Sequence, residues 1–375
     1  MIQQLKQKYK FMGLLLILCV AGCDAQQEDN ISPYPVLDSG MTASTKYGDN
    51  IYWMDNDRVI FVSYGPKPKT VEEQRQRKPS IYIWDTRDNN IKKYADGSAL
   101  CYHDGYIRYA FYGDDIPKVD PELSHRTFWK EGAFGNETIK TAEFATVEEY
   151  RAWYRSNPLN RYTCKLVERP SSMDGKVWLP LLGQHGALEW ETDTVPGASE
   201  TEQPVVFRRS SDNKAIPLKI TRGDIALTTR RYYMKYRDAY FFQEQVNWGI
   251  VQNNDCIRYW WMSNKGYVEA SCQSIVPVKN VSKYGVSLYP TKKGVLVSAG
   301  KANDYDAGTL ALYLETSNEY QKLITGGHEK LSLSANGCNL AFVNAPFYMA
   351  RRVGSPGESR LKTINLCSNG GNENE

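Results

Sequence analysis

Residues 310–343 read LALYLETSNEYQKLITGGHEKLSLSANGCNLAFV, a series of apolar strands separated by short polar turns. Strand, turn and strand follow one another twice, first around Glu315–Glu319 and then around Ser334–Gly337. The second turn contains Asn336-Gly337, a dipeptide that suits a tight β-turn. The stretch therefore predicts two consecutive antiparallel hairpins.

The same arrangement recurs along the chain. Six blocks combine a polar or aromatic strand, a tight turn and an apolar strand, with equivalent turn positions at Asp57, Gly105, Gly186, Asp238, Gly294 and Gly337. The intervals between these positions are 48, 81, 52, 56 and 43 residues, and a second hairpin follows most blocks. A repeat of roughly 40–50 residues that carries a four-stranded antiparallel sheet is typical of a propeller blade. We therefore predict an all-β protein, a six-bladed β-propeller of four-stranded antiparallel blades over residues 34–370, with a β-sandwich or two smaller β-domains as the alternative.

The last unit has only one strand, RLKTINLC, after its first hairpin, and the chain then ends in a tail, residues 371–375, that we expect to be disordered. We expect the segment Ser39–Tyr47 to supply the missing outer strand and so close the ring. Insertions predict one or two short helices. One begins at Thr146 and Glu149, which form a capping box, and a similar start lies at Thr70–Glu73.

The stretch 310–343 resembles the TolB-type, WD40-like (PD40) propeller repeat. The resemblance rests on Leu323-Ile324-Thr325, on the turn Ser334-Ala335-Asn336-Gly337 and on the strand Leu340-Ala341-Phe342. Ala335 and Asn336 stand where the family has proline and aspartate. The resemblance implies a propeller fold and a habit of binding proteins or peptides, and it brings no catalytic residues.

The N-terminus has the features of an export signal. Lys6, Lys8 and Lys10 precede an apolar segment, Met12–Val20, that is too short to span a bilayer, and small residues follow it. Val20-Ala21-Gly22-Cys23 resembles the lipobox of bacterial lipoproteins, so that residues 1–22 are a signal peptide and Cys23 carries the lipid (palmitate) anchor. Residues 23–33 are then a lipidated tether. An ordinary secretory signal with a chance cysteine is the alternative.

Asp24 resembles the sorting signal that retains a lipoprotein at the inner membrane of a Gram-negative host. We therefore expect a membrane-anchored protein whose body lies in the periplasm. Three of the 46 basic residues lie in the signal peptide, which leaves 43 against 43 acidic residues. A neutral chain lacks the field of a nucleic-acid binder, so that the expected partners are the membrane and one or more envelope proteins.

Of the eight cysteines, Cys19 lies in the signal peptide and Cys23 is predicted to be lipidated, which leaves six in an exported protein and predicts disulfides. Cys256 and Cys272 bracket a predicted hairpin, and Cys338 and Cys367 belong to strands predicted to be neighbours. Cys101 and Cys164 remain as a third pair by elimination. The four histidines are scattered and no metal-binding motif occurs, so that we predict neither a metal nor another cofactor; Asp304 and Asp306 are weak cation candidates.

The predicted helix after Thr146 has an aromatic face, Tyr150, Trp153 and Tyr154, which either packs on a blade edge or binds a partner. With no nucleophile–base motif in the sequence, we predict that the protein is not an enzyme. The expected function is that of an envelope lipoprotein whose propeller is a protein-binding or scaffolding module. The alternatives are an immunity lipoprotein that neutralises a toxin delivered to the periplasm and a propeller enzyme that acts on glycans.

Overall fold

In a computed structural model, the chain forms β-strands almost throughout the part that is described. The structure describes residues 32–44, 50–66, 68–103, 105–111, 126–146, 148–149, 179–181, 186–190, 204–209, 211–221, 232–234, 236–243, 259–263, 266–269, 286–301, 304–325, 328–344 and 359–368. The chain divides into two units, Met1–Ile31 and Ser32–Glu375, and the first lies outside the described residues. Among the helices of the described part, none is long and apolar enough to cross a membrane.

The strands pair in four-strand antiparallel groups, which we number in chain order. Group 1 comprises β2 (Ile51–Trp53), β3 (Arg58–Pro66), β4 (Ser80–Asp85) and residues 90–96 of β5 (Asn90–His103). Group 2 comprises residues 97–103 of β5 with β6 (Tyr106–Phe111), β7 (Arg126–Ala133) and β8 (Thr138–Glu143). Group 3 comprises β9 (Leu179–Leu181), β10 (Gly186–Trp190), β11 (Pro204–Arg209) and β12 (Ala215–Thr221).

The remaining groups follow the same order. Group 4 comprises β13 (Tyr232–Met234), β14 (Ala239–Gln243), β15 (Tyr259–Ser263) and β16 (Gly266–Glu269). Group 5 comprises β17 (Val286–Pro290), β18 (Val295–Lys301), β19 (Asp304–Leu314) and β20 (Glu319–Thr325). Group 6 comprises β21 (His328–Leu333), β22 (Asn339–Asn344), β23 (Arg360–Asn365) and β1 (Val36–Ala43).

The predicted repeat register is correct. Each of the six predicted turn positions lies between the first and second strands of its group, or, for Gly186, begins the second strand. The prediction that a second hairpin follows most blocks is also correct. The third and fourth strands pair with each other in groups 1 to 5. The turns of these hairpins place Asn89, Asn213 and Asn318 in the left-handed region at φ 53°, 56° and 58°, a conformation that asparagine tolerates better than most residues.

Two of these asparagines also accept a hydrogen bond from a buried aromatic side chain on the third strand. Trp84 Nε1 donates to Asn89 Oδ1 over 2.8 Å, and Tyr313 Oη donates to Asn318 Oδ1 over 2.7 Å. Both aromatic residues are fully buried. A buried polar atom needs such a partner, so that the turn residue stabilises both its own hairpin and the adjoining core.

The core lies between successive groups. Four apolar clusters join groups 4 and 5, 5 and 6, 6 and 1, and 1 and 2. In β3, Val59 and Phe61 pack toward group 6, whereas Ile60 and Val62 pack toward group 2. A strand covered on both faces is apolar at consecutive positions, which explains why the second strand of a unit is so hydrophobic in the sequence.

The first strand of the fold completes the last group. β1 pairs with β23 through Val36↔Ile364 and Leu37↔Thr363, and its end also pairs with β3 through Ala43↔Ser63. The predicted outer strand is therefore confirmed for residues 39–43, and it begins three residues earlier than predicted. Through β1 and the shared β5, groups 6, 1 and 2 form a continuous 11-stranded sheet.

One predicted helix is present as α1, Val71–Gln76. Its N-cap bond is formed, because Glu73 N donates to Thr70 Oγ1 over 3.1 Å. The Glu73 carboxylate reaches back one residue beyond the cap, where Lys69 N donates to Glu73 Oε2 over 2.8 Å. The other predicted helix has its first cap bond, from Glu149 N to Thr146 Oγ1 over 3.1 Å. Its later residues lie outside the described part of the chain.

Candidate functional site

The cysteine pair Cys338 and Cys367 forms a disulfide in group 6, with Cα atoms 5.1 Å apart. Cys338 precedes β22 and Cys367 follows β23, and their backbones are also linked by a bond from Leu366 N to Cys338 O over 2.8 Å. Cys101 is disulfide-bonded as well. The other members of the predicted pairs, Cys164, Cys256 and Cys272, lie outside the described residues.

Several other predicted site residues also fall outside the described ranges. These are the proposed lipid-anchor residue, the sorting residue and the aromatic face: Cys23, Asp24, Tyr150, Trp153 and Tyr154. Asp304 and Asp306 are described, and they belong to strand β19. Asp304 pairs with Lys301 on β18, and the β18–β19 register shifts between this pair and Ala299↔Thr309. Within the described residues, no group of three or more His, Cys, Asp and Glu side chains is placed to hold a metal ion.

A polar site lies where groups 5 and 6 meet. Ser298 Oγ and His328 Nε2 are 2.7 Å apart, although the residues belong to different groups, and both side chains are half-buried. Asn344, which is 5% exposed, is the direct register partner of His328 on the neighbouring strand β22. We call Ser298, His328 and Asn344 the polar junction.

Strand alternation explains why Ser298 faces group 6. Leu296, two residues earlier on β18, lies in the apolar cluster between groups 5 and 6, whereas Val295 and Val297 lie in the cluster toward group 4. Residues two apart on a strand share a face. Ser298 therefore continues the Leu296 face beyond the point where the apolar contacts end.

Both strands of the junction become irregular directly after the polar residue. The β18–β19 register shifts between Ala299 and Lys301, and the β21–β22 register shifts between Glu329 and Ser332. Lys330 lies in the second irregularity at φ 54°, and its Nζ donates to the Ser44 carbonyl over 2.6 Å. A lysine in the left-handed region is strained, and such strain and bulges concentrate near functional sites.

A second polar cluster lies near the hairpin turns of groups 4 and 5. The Arg237 guanidinium carbon is 4.0 Å from the Trp261 ring centroid, and Arg237 Nη1 lies 3.5 Å from Glu315 Oε2. Tyr259 Oη donates to the other Glu315 oxygen over 2.9 Å. Burial, with the Glu315 charge as a lesser cause, raises the pKa of Tyr259 above its ordinary value, so that it is a neutral donor at physiological pH.

The described residues thus define an all-β protein of antiparallel four-strand groups, with a propeller-like packing of one group on the next. No protein-family model matches the chain, and no curated protein matches it. The chain is similar in structure to a neuraminidase-like protein of influenza A/flat-faced bat/Peru/033/2010 (H18N11), at 11% identity and a TM-score of 0.33, over 93% of this chain and 94% of that one.

Two peptidases are also similar in structure. One is a structure of prolyl endopeptidases, at 11% identity and a TM-score of 0.27, over 77% of this chain and 37% of that chain. The other is the Pyrococcus horikoshii acylaminoacyl peptidase, at 9% identity and a TM-score of 0.29, over 82% of this chain and 44% of that one. The chain thus spans less than half the length of these peptidases. Similarities this weak concern the fold and supply no residue roles.

These comparisons correct the prediction that the protein is not an enzyme. That prediction is contradicted, because several of the similar structures are peptidases or proteases. The sequence reasoning also missed the polar junction, whose serine and histidine lie 30 residues apart in separate hairpins. The only local signals are a serine that interrupts the apolar run of β18 and a histidine at the start of β21.

Proposed function

We propose that this protein is a lipoprotein of the cell envelope, anchored through lipids on Cys23, whose strand groups are the six blades of one closed propeller that binds an envelope protein. The observation that carries this proposal is the pairing of β1 with β23, which joins the first strand of the fold to the last. The packing of groups 4, 5, 6, 1 and 2 in succession also supports a ring. A closed ring has few exposed sheet edges and presents a rigid surface.

The tether between the anchor residue and β1 is short in sequence. Only 12 residues separate Cys23 from Val36, the first residue of β1. In this proposal the tether, residues 23–33, leads from the membrane to the outer strand of group 6. The body then lies in the periplasm if the host is Gram-negative.

We place the partner surface on group 2 and the segment after it. β8 is the last strand of its sheet, and five of its six residues are exposed. Ile139 on this strand is 42% exposed. The chain then leads to the capping box at Thr146 and to the predicted aromatic face of Tyr150, Trp153 and Tyr154, so that an apolar surface would extend from the strand to the helix.

Two experiments test the proposal. Metabolic labelling with palmitate should label the wild type and a Cys19→Ala variant but not a Cys23→Ala variant, because Cys19 leaves with the signal peptide. Label that persists in Cys23→Ala would overturn the anchor.

For the partner, a photo-crosslinking amino acid replaces Ile139 in the lipidated protein within its host. The control position is Tyr320 of group 5, which is 40% exposed. We expect a crosslinked envelope protein from position 139 and none from position 320. A toxin as the crosslinked protein would favour the immunity alternative over a scaffold, and equal crosslinking from both positions would refute the group 2 surface.

A further inference from the structure

We propose that the polar junction is a catalytic site for acyl transfer to water, with Ser298 as the nucleophile, His328 as the general base and Asn344 as a positioning residue. This activity goes beyond the binding role proposed above. The substrate class is an ester or amide with an accessible acyl carbonyl.

The first argument is the distance between nucleophile and base. A serine hydroxyl is a weak nucleophile unless a base lies within about 2.6–3.2 Å to accept its proton. Ser298 Oγ and His328 Nε2 are 2.7 Å apart. Both side chains are half-buried, so that the bond is partly shielded from water while its atoms remain reachable.

The second argument is the position of Asn344. Directly paired residues of an antiparallel ladder lie on the same face, with Cβ atoms about 4.5–5.5 Å apart. Asn344 is paired with His328 and is buried. In serine and cysteine hydrolases the third member holds the imidazole in the orientation and tautomer that bring Nε2 to the nucleophile, and we assign this positioning role to Asn344.

The third argument is the backbone around the pair. A bulge withdraws at least one residue from the ladder and locally disrupts the pairing of its N–H and C=O groups. One irregularity follows Ser298 and another follows His328, where Lys330 adopts φ 54°. Irregular backbone of this kind re-aims side chains and is over-represented next to active sites, which supports a site at the junction.

The chemistry then follows in two steps. Ser298 Oγ attacks the acyl carbon and forms an ester bond, while its proton passes to His328 Nε2; the bond to the leaving alcohol or amine breaks as that group takes the proton from His328. Water next attacks the acyl-serine and gives its proton to His328. The carboxylic acid departs as Ser298 Oγ recovers the proton.

The test uses a fluorophosphonate probe on the full-length protein. The Ser298 oxygen should displace fluoride from phosphorus, leaving a covalent adduct that peptide mass spectrometry localises in the wild type itself. We expect no adduct in Ser298→Ala and a labelling rate at least about 100-fold lower in His328→Gln. Ser287→Ala is the matched control, because Ser287 is exposed and lies directly opposite Ser298 on β17.

Asn344→Ala is measured with p-nitrophenyl butyrate. As a positioning residue, Asn344 should affect kcat with little change in KM, whereas a merely structural role would not separate the two parameters. Folding of each variant is checked by its thermal midpoint. A wild type that is not labelled, or that is labelled at another serine, overturns the proposal. Neither result changes the expected outcome of the crosslinking and palmitate experiments that test the proposed function.

Discussion

Replacement of Gly337 by alanine tests how the groups pack at their first turns. Gly337 has φ +70°, and an added Cβ would lie 2.5 Å from Tyr236 Cε1 and 2.9 Å from the backbone nitrogen of Lys292. Tyr236 follows β13 in group 4, and Lys292 lies in the β17–β18 turn of group 5. One methyl group in group 6 would therefore collide with both neighbouring turns.

The expected loss has two parts. The left-handed backbone costs an alanine about 1–2 kcal/mol, and the overpacking costs typically about 1–3 kcal/mol, for a total of roughly 2–5 kcal/mol. The equivalent turn of group 2 provides the control. Gly105 has φ +79° but no atom within 4 Å of the added Cβ, so that Gly105→Ala should lose only the first part.

The assay is equilibrium unfolding in urea, followed by tryptophan fluorescence. The free energy of unfolding should fall more in Gly337→Ala than in Gly105→Ala, by at least about 1 kcal/mol. Equal losses in the two variants would refute the reasoning, because they would mean that Gly337 contributes only its backbone conformation and no contact between the groups.

Three further outcomes follow from described contacts. Replacement of Cys338 and Cys367 by serine removes a crosslink with a sequence separation of 29 and should lower stability by about 3–4 kcal/mol, measured by thermal unfolding without reductant; an unchanged midpoint would contradict this. Asn318→Ala leaves the buried Tyr313 hydroxyl without its acceptor, which should cost about 1–3 kcal/mol, and the left-handed backbone at this position adds about 1–2 kcal/mol for an alanine. A double-mutant cycle with Tyr313→Phe measures the coupling, and additivity of the two substitutions would argue against the bond. The hydrogen-bonded Arg209 guanidinium lowers the pKa of Asp212 to about 2, below its unfolded value of about 3.9, so that its stabilising contribution is present above about pH 4 and is lost as pH falls toward 2. Asp212→Asn should therefore lower the thermal midpoint at pH 6 but not near pH 2, and a difference independent of pH would exclude this pair as its cause.

The repeat could be predicted from the sequence because its signals are local. Asn336-Gly337 fixes a tight turn wherever it occurs between apolar strands, and the intervals between equivalent turns reveal the unit length. The completion of group 6 by β1 was also predictable, since a unit with a missing strand must be completed by another segment. The start of β1 at Val36 was not, because the residues before Ser39 have no clear alternation.

The polar junction could not be predicted in this way. Ser298 and His328 come together only when group 5 packs against group 6, and Asn344 joins them through a register that the sequence does not specify. The weak cation candidates Asp304 and Asp306 belong to strand β19, and their role stays a prediction.

The pairing of β1 with β23 also determines when the last strand group can form during folding. Leu37 is synthesised more than 300 residues before its partner Thr363, and β23 pairs with β22 along its other edge. During synthesis, β1 must therefore wait until the residues of β23 have been made, and contacts at such long range slow folding because the intervening chain must be closed first. A chain truncated before Arg360 would leave β1 without its partner, so that completion of the last group reports that β23 is present.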